Sequence, residues 1–215
     1  LTFSSEPDFL ERYILPVLLP DVHLSPVEGT APWQLEDALR SGIDHLSVYY
    51  DPHGLIARER SARLDVRRIR CSRGTGYFHP KVLLALTQPT NPEDATPERL
   101  VVLVSSANLT QAGWWENVEV AHIESVDDAA LCSFRDDLLD LITRVRRWSR
   151  EGADHTALDS VRASVRRLRQ RERMVSDGIQ YPRLFVGQAP LAEWLNSTTP
   201  RGLDLKLEIV SPYFD

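Results

Sequence analysis

Two stretches of the chain carry residues able to do chemistry: Tyr77-Phe78-His79-Pro80-Lys81-Val82-Leu83-Leu84-Ala85-Leu86 and Leu100-Val101-Val102-Leu103-Val104-Ser105-Ser106-Ala107-Asn108-Leu109-Thr110. Residues two apart share a face of a β-strand. A strand over Tyr77 to Leu86 therefore projects His79 and Lys81 together and turns Val82 and Leu84 into the core. Pro80 has no N–H to give to a ladder, which suits an edge or a strand start. The second stretch ends in the small-residue turn Ser105-Ser106-Ala107, setting Asn108 at the carboxyl end of the sheet. An imidazole that attacks phosphorus, with an ammonium and an amide donating to the non-bridging oxygens, suits cleavage of a phosphodiester. Each residue also has a plain structural reading: a satisfied histidine, a surface lysine, and an asparagine that shapes a turn or caps a helix.

Lys81 gains weight from the rest of the composition. Of 25 basic residues only Lys81 and Lys206 are lysines. Seven arginines crowd Arg58 to Arg73 and six lie between Arg162 and Arg173. They read either as solvated helix faces or as phosphate contacts, for which the planar guanidinium is well shaped. The net charge of −6 argues against a protein that coats nucleic acid non-specifically. With 215 residues, 42% hydrophobic and 26% charged, the chain is globular rather than disordered. At roughly 100–200 residues per domain it makes one large domain or one and a half. Its longest apolar runs, Tyr13 to Leu19 and Val101 to Val104, fall far short of the ~20 residues that span a bilayer. Leu1 to Ser4 runs straight into Glu6 and Asp8, unlike a signal peptide. Cys71 and Cys132 have no metal spacing and make no disulfide framework, so a reducing cytoplasm is the expected setting. Neither a metal nor a cofactor is expected. The chain opens without Met and stops at Asp215 after a strand-like run, which reads as a fragment.

The elements that must position these residues are legible in outline. Ser5-Glu6-Pro7-Asp8 reads as a helix start with Ser5 as cap, and Phe9, Leu10, Tyr13 and Ile14 recur at helical spacing. Trp33 to Arg40 predicts a second short helix, closed by Ser41-Gly42. Strands are expected over His45 to Tyr50, Val66 to Ile69, Tyr77 to Leu86, Leu100 to Ser106 and Val118 to Ile123. Two long helices follow. Asp127 opens one, with Leu131, Phe134, Leu138, Leu141, Val145 and Trp148 on a single face. Asp154 opens the other, with Leu158, Val161, Val165 and Leu168. These elements bound a first lobe over residues 1–178, its closing helices falling within 127–175. A second unit is expected over 179–215, with a short helix near Leu191 to Leu195. Its last run, Glu208 to Asp215, aligns without gaps to Asp44 to Asp51, both ending in two aromatics and Asp. That pairing suggests a second, truncated repeat.

Phe78-His79-Pro80-Lys81, with Ser105-Ser106-Ala107-Asn108-Leu109-Thr110, Gly113 and Asn117-Val118-Glu119, resembles the phospholipase D superfamily. Its signature is His-x-Lys followed by a small-residue turn with Asn. Many members carry an Asp a few residues after the Lys, where this chain has Leu86. The chain is therefore more similar to the tyrosyl-DNA phosphodiesterase-like branch, which lacks that Asp. The similarity covers residues 1–150 and includes the opening Thr2-Phe3 to Pro20 segment. It implies an α/β phospholipase D-type lobe, a mixed β-sheet flanked by helices on both faces. It also implies metal-independent catalysis in which two His-x-Lys motifs face one another across one site. One His forms a phosphohistidine; the other protonates the leaving group and then activates water. On that pattern His79, Lys81 and Asn108 are the catalytic set. His23, His45, His53, His122 and His155 have no Lys or Arg two residues on, so a second motif must come from a further half or a homodimer partner.

Two supporting residues keep two readings each. Ser106 either bonds a phosphate oxygen or shapes the turn; Glu119 either orients the His79 imidazole or pairs with an arginine. Trp114-Trp115 either stack a base or pack in the interior. The expected function is a metal-independent phosphodiesterase, a nuclease-type hydrolase acting on nucleic acid such as DNA. One alternative is a non-catalytic scaffold or nucleic-acid-binding lobe of a larger defence or repair assembly. The other is a phospholipid phosphodiesterase, against which the lack of a basic amphipathic anchor counts.

Overall fold

Pro7 sits where a missing N–H costs nothing, in the first turn of α1 (Pro7–Phe9). The helix widens into a π turn over Leu10–Ile14 and closes as α2 (Leu15–Leu18). Its cap position is Glu6 rather than the expected Ser5, because Ser5 pairs through its backbone with Gly54 and Ile56. The computed structural model describes residues 1–19, 31–56, 64, 66–74, 76–89, 97–171, 181–187 and 189–198. Further along lie α3 (Ala31–Gly42), β1 (Ser47–Tyr50), β2 (Arg67–Arg70), β3 (Val82–Thr87), β4 (Arg99–Ser105) and β5 (Ala121–Asp127). Then come β6 (Leu131–Cys132), α4 (Arg135–Trp148), α5 (Thr156–Arg167), β7 (Arg169–Gln170) and α6 (Leu191–Thr198). The fold is mixed α/β.

The expected single sheet is instead two ladders joined by the first two residues of the chain. β1 and β2 are parallel, whereas β3, β4 and β5 form an antiparallel meander. Thr2 N–H donates to Tyr49 O at 2.9 Å on one side, and Val82 N–H donates to Leu1 O at 2.9 Å on the other. β6 and β7 make a separate short parallel pair.

Alternation along β1 explains why there are two cores. Tyr49 points into one, with Phe78, Leu100 and Val102; Val48 points into the other, with Leu10, Leu15 and Leu35. Helix α4 closes the first core with Leu138, Leu141, Ile142 and Val145, an i, i+3, i+4, i+7 stripe. α5 adds Leu158, Val161 and Val165. Among the described residues, helices therefore flank both faces only at the β1–β2 end. Along β3–β5 the second face, with Leu83, Leu103 and Ile123 in register, joins neither core, and Ile123 is 61% exposed.

Three boundaries differ from expectation in ways that bear on the site and its framework. β3 starts at Val82, so His79 and Lys81 precede the strand instead of lying within it. β5 starts at Ala121 because its register with β4 begins at Ser105, leaving Val118 97% exposed ahead of it. Asp127 ends β5 and pairs with Arg99 across the ladder; the helix it was expected to open begins only at Arg135, after β6. Asp154 lies one residue ahead of the α5 cap position, His155, and accepts from the N–H and hydroxyl of Thr156. Within the second expected unit, α6 spans Leu191–Thr198, while Glu208 to Asp215 lies outside the described residues. No helix among the described residues is long and apolar enough to cross a membrane.

Candidate active site

His79 and Lys81 come together although they are not in a strand. Lys81 Nζ lies 3.1 Å from His79 Nδ1 and 3.3 Å from Nε2. Their backbone is fixed from both ends. Phe78, the residue before His79, is fully buried, and Ser105 N–H donates to Lys81 O at 3.0 Å. The Phe3 ring packs on the imidazole with centroids 4.7 Å apart.

Asn108 reaches the same place through the turn after β4. Its side-chain Oδ1 accepts from Ser4 N–H at 3.1 Å, which leaves the NH2 group without a partner among the described residues. Leu109 N–H donates to Thr2 Oγ1 and to Ser4 O, so the opening segment clamps this turn. Gly113 lets the following π turn, Ala112–Glu116, close over it. A Cβ at Gly113 would stand 2.7 Å from Asn108 O and 3.0 Å from Asn108 N. Gly113 N–H also donates to Thr110 Oγ1 at 3.1 Å. The spacing Asn108-Leu109-Thr110-x-x-Gly113 thus has a packing cause.

Ser106 and Glu119 bond each other: Ser106 Oγ donates to Glu119 Oε2 and accepts from Val120 N–H at 2.9 Å. The Ser106 hydroxyl proton is thereby committed to shaping the junction of β4 and β5. Among the described residues, Glu119 bonds neither His79 nor an arginine, and its charge acts on Lys81. Leu86 packs against the main core.

These five residues line one cleft of about 970 Å³. Its other wall is Leu184 to Gly187, held by Arg183, whose two N–H groups reach the buried Asp137 carboxylate at 3.1 Å each. Burial lowers the His79 imidazole below its ordinary value, Lys81 lowers it further, and Asp51 opposes both. Burial also lowers the Lys81 ammonium, with Glu119 opposing. The outcome is a neutral imidazole, competent as a nucleophile, beside a cation that can meet negative charge on phosphate oxygens.

Asp51 enters the sequence reading only as the end of an aligned run, with no role in the site. It is 2% exposed and accepts from Phe78 N–H at 2.7 Å and from both His53 N–H and His53 Nδ1 at 2.9 Å. Burial raises its carboxyl, but these donors outweigh it and hold the group below the usual carboxylate range. The signal available in sequence was its recurrence as the last residue of both aligned runs. Trp114 and Trp115 are not interior: they are 46% and 55% exposed, and Trp115 packs edge-on against Phe9 and Tyr13. No described residues form a cluster of three His, Cys, Asp or Glu able to hold a metal. No protein-family model, curated protein or solved structure matches this chain.

Proposed function

We propose that the chain is a phospholipase D-type lobe that cleaves phosphodiesters of nucleic acid without a metal. The observation that carries this reading is the meeting of His79, Lys81 and the Asn108 NH2 group, which has no partner among the described residues, in one cleft. His79 attacks phosphorus, forming a P–N bond as the P–O bond to the leaving alcohol breaks. Lys81 and Asn108 donate to the non-bridging oxygens as charge builds on them. A second imidazole protonates the leaving oxygen and then takes a proton from the water that hydrolyses the phosphohistidine. No other described histidine lines the cleft, so that group comes from a second lobe or a second copy of the chain. The test is hydrolysis of bis(p-nitrophenyl) phosphate and of a single-stranded oligonucleotide by wild type and His79→Ala. Turnover that disappears in a folded His79→Ala variant supports the reading; equal turnover in both overturns it.

One observation favours a second reading, a non-catalytic nucleic-acid-binding lobe: a single imidazole among the described residues of the cleft. Oligonucleotide binding with no hydrolysis under any state of assembly would select it.

A further inference from the structure

The arginine-rich span that ends at Arg73 is not one uniform basic surface. Arg67 pairs with Asp154 at 3.0 Å, and Arg68 pairs with Glu11 at 2.7 Å. Arg167, in the later cluster, pairs with both Glu98 and Asp128. These guanidiniums already hold carboxylate partners. Arg73 differs: it is exposed, lines the cleft of His79 and Lys81, and pairs with no acid among the described residues. Its guanidinium carbon lies 5.0 Å from the centroid of the Trp148 ring. Trp148 in turn meets the fully buried Phe78 edge-on, with centroids 6.1 Å apart at 71°. Phe78 directly precedes His79, so a stack of three side chains fixes the guanidinium relative to the imidazole.

We infer that Arg73, held over Trp148, is the subsite for a second phosphate of a nucleic-acid strand whose scissile phosphate lies at His79 and Lys81. The inference rests on the phosphodiesterase reading of the cleft and names its substrate class. A stacked guanidinium loses little freedom on binding and keeps its N–H edges for bidentate contact with phosphate oxygens. Arg73 and Lys81 are the cations among the described residues lining the cleft, and each of its two carboxylates is held by a neutral donor. Glu119 accepts from Ser106, and Glu116 accepts from Gln111 at 3.4 Å. A volume of about 970 Å³ is near the upper end of ligand pockets and exceeds the needs of one phosphate group. A substrate with a single phosphodiester leaves Arg73 unused; a strand does not.

The experiment compares wild type with Arg73→Ala and Arg73→Lys, with thermal melts to confirm folding. Binding of a fluorescent oligothymidylate is measured by anisotropy from about 50 to about 200 mM salt. Hydrolysis of bis(p-nitrophenyl) phosphate is measured alongside. Arg73→Ala should weaken oligonucleotide binding about tenfold, the scale of one charged hydrogen-bonded contact. It should also reduce the log–log salt slope by about 0.7, one single-strand phosphate. Arg73→Lys should restore the slope but not the full affinity. kcat/KM for bis(p-nitrophenyl) phosphate should fall several-fold less than oligonucleotide binding. An unchanged salt slope, no oligonucleotide binding by wild type, or an equal loss on both substrates overturns the inference. So does Arg73-dependent hydrolysis of phosphatidylglycerol vesicles without oligonucleotide binding. If nothing is hydrolysed, the phosphodiesterase reading fails while the binding slope still reports on Arg73.

Discussion

At the scale of single residues, the environment of His79 sets its protonation. Burial first and Lys81 second lower the imidazole, so its neutral, nucleophilic form persists below the ordinary value of 6.5. The acid limb of kcat/KM, which reports the free enzyme, should therefore have its midpoint below 6.5. A midpoint above 6.5 would mean that another group controls the rate. Lys81→Arg keeps the charge but replaces a compact ammonium with a longer planar fork, 3.1 Å from an imidazole. A loss of at least ~1.4 kcal/mol in transition-state stabilisation, about tenfold in kcat/KM, is expected. Asp51 makes its prediction through stability. A carboxyl held low in the folded state contributes stability above its unfolded value and loses it as pH falls through the folded one. Asp51→Asn should cost ~1–3 kcal/mol near neutral pH, with the gap to wild type closing in acid, as read by urea unfolding across pH. A constant gap would place the effect in packing. Only the local part of this was open to sequence reading at Asp51: two donors come from His53, two residues on, but Phe78 N–H is 27 residues away.

Elements were legible where one local rule governed them. The stripe Leu158, Val161, Val165 and the cap-like Asp154 gave α5, and the apolar run gave β4 to within a residue at each end. Where two rules competed, the non-local one won. Val118 and Val120 alternate like a strand, but pairing with β4 begins at Ala121. Leu131 and Phe134 continue the helical stripe of α4, yet a positive φ of 56° at Ala129 marks a turn, and Leu131 pairs with β7. The site suffers little from these errors. His79 and Lys81 meet whether or not the strand includes them, since Pro80 and the Ser105 contact fix the approach. Gly113 is the element-scale device most exposed to test. Gly113→Ala sets a Cβ 2.7 Å from the Asn108 carbonyl oxygen, so the π turn must shift. Overpacking of this kind costs ~1–3 kcal/mol. Here activity should fall further than stability, because Asn108 moves with the turn; equal melting and full activity would show that the turn does not depend on Gly113.

The whole molecule places its chemistry on a cleft between the end of the antiparallel ladder, α4 and the segment Leu184 to Gly187. Sequence pattern could suggest helices on both sheet faces, since alternation marks buried faces, but it cannot say how far each layer extends. The face of β3–β5 bearing Ile123 lies beyond the helical layer that covers Val48. The proposed chemistry draws charge stabilisation from Lys81 and Asn108, so hydrolysis should survive extensive EDTA treatment. Loss on chelation, restored by Mg²⁺ or Mn²⁺, would contradict it. The most direct measurement of the central claim is a millisecond-to-second reaction with a labelled oligonucleotide, quenched in base and mapped by peptide mass spectrometry. A phosphoryl adduct on His79 that forms before product is released, and that is absent from His79→Ala, is the predicted result. Turnover with no adduct on His79, or turnover retained in His79→Ala, would contradict it.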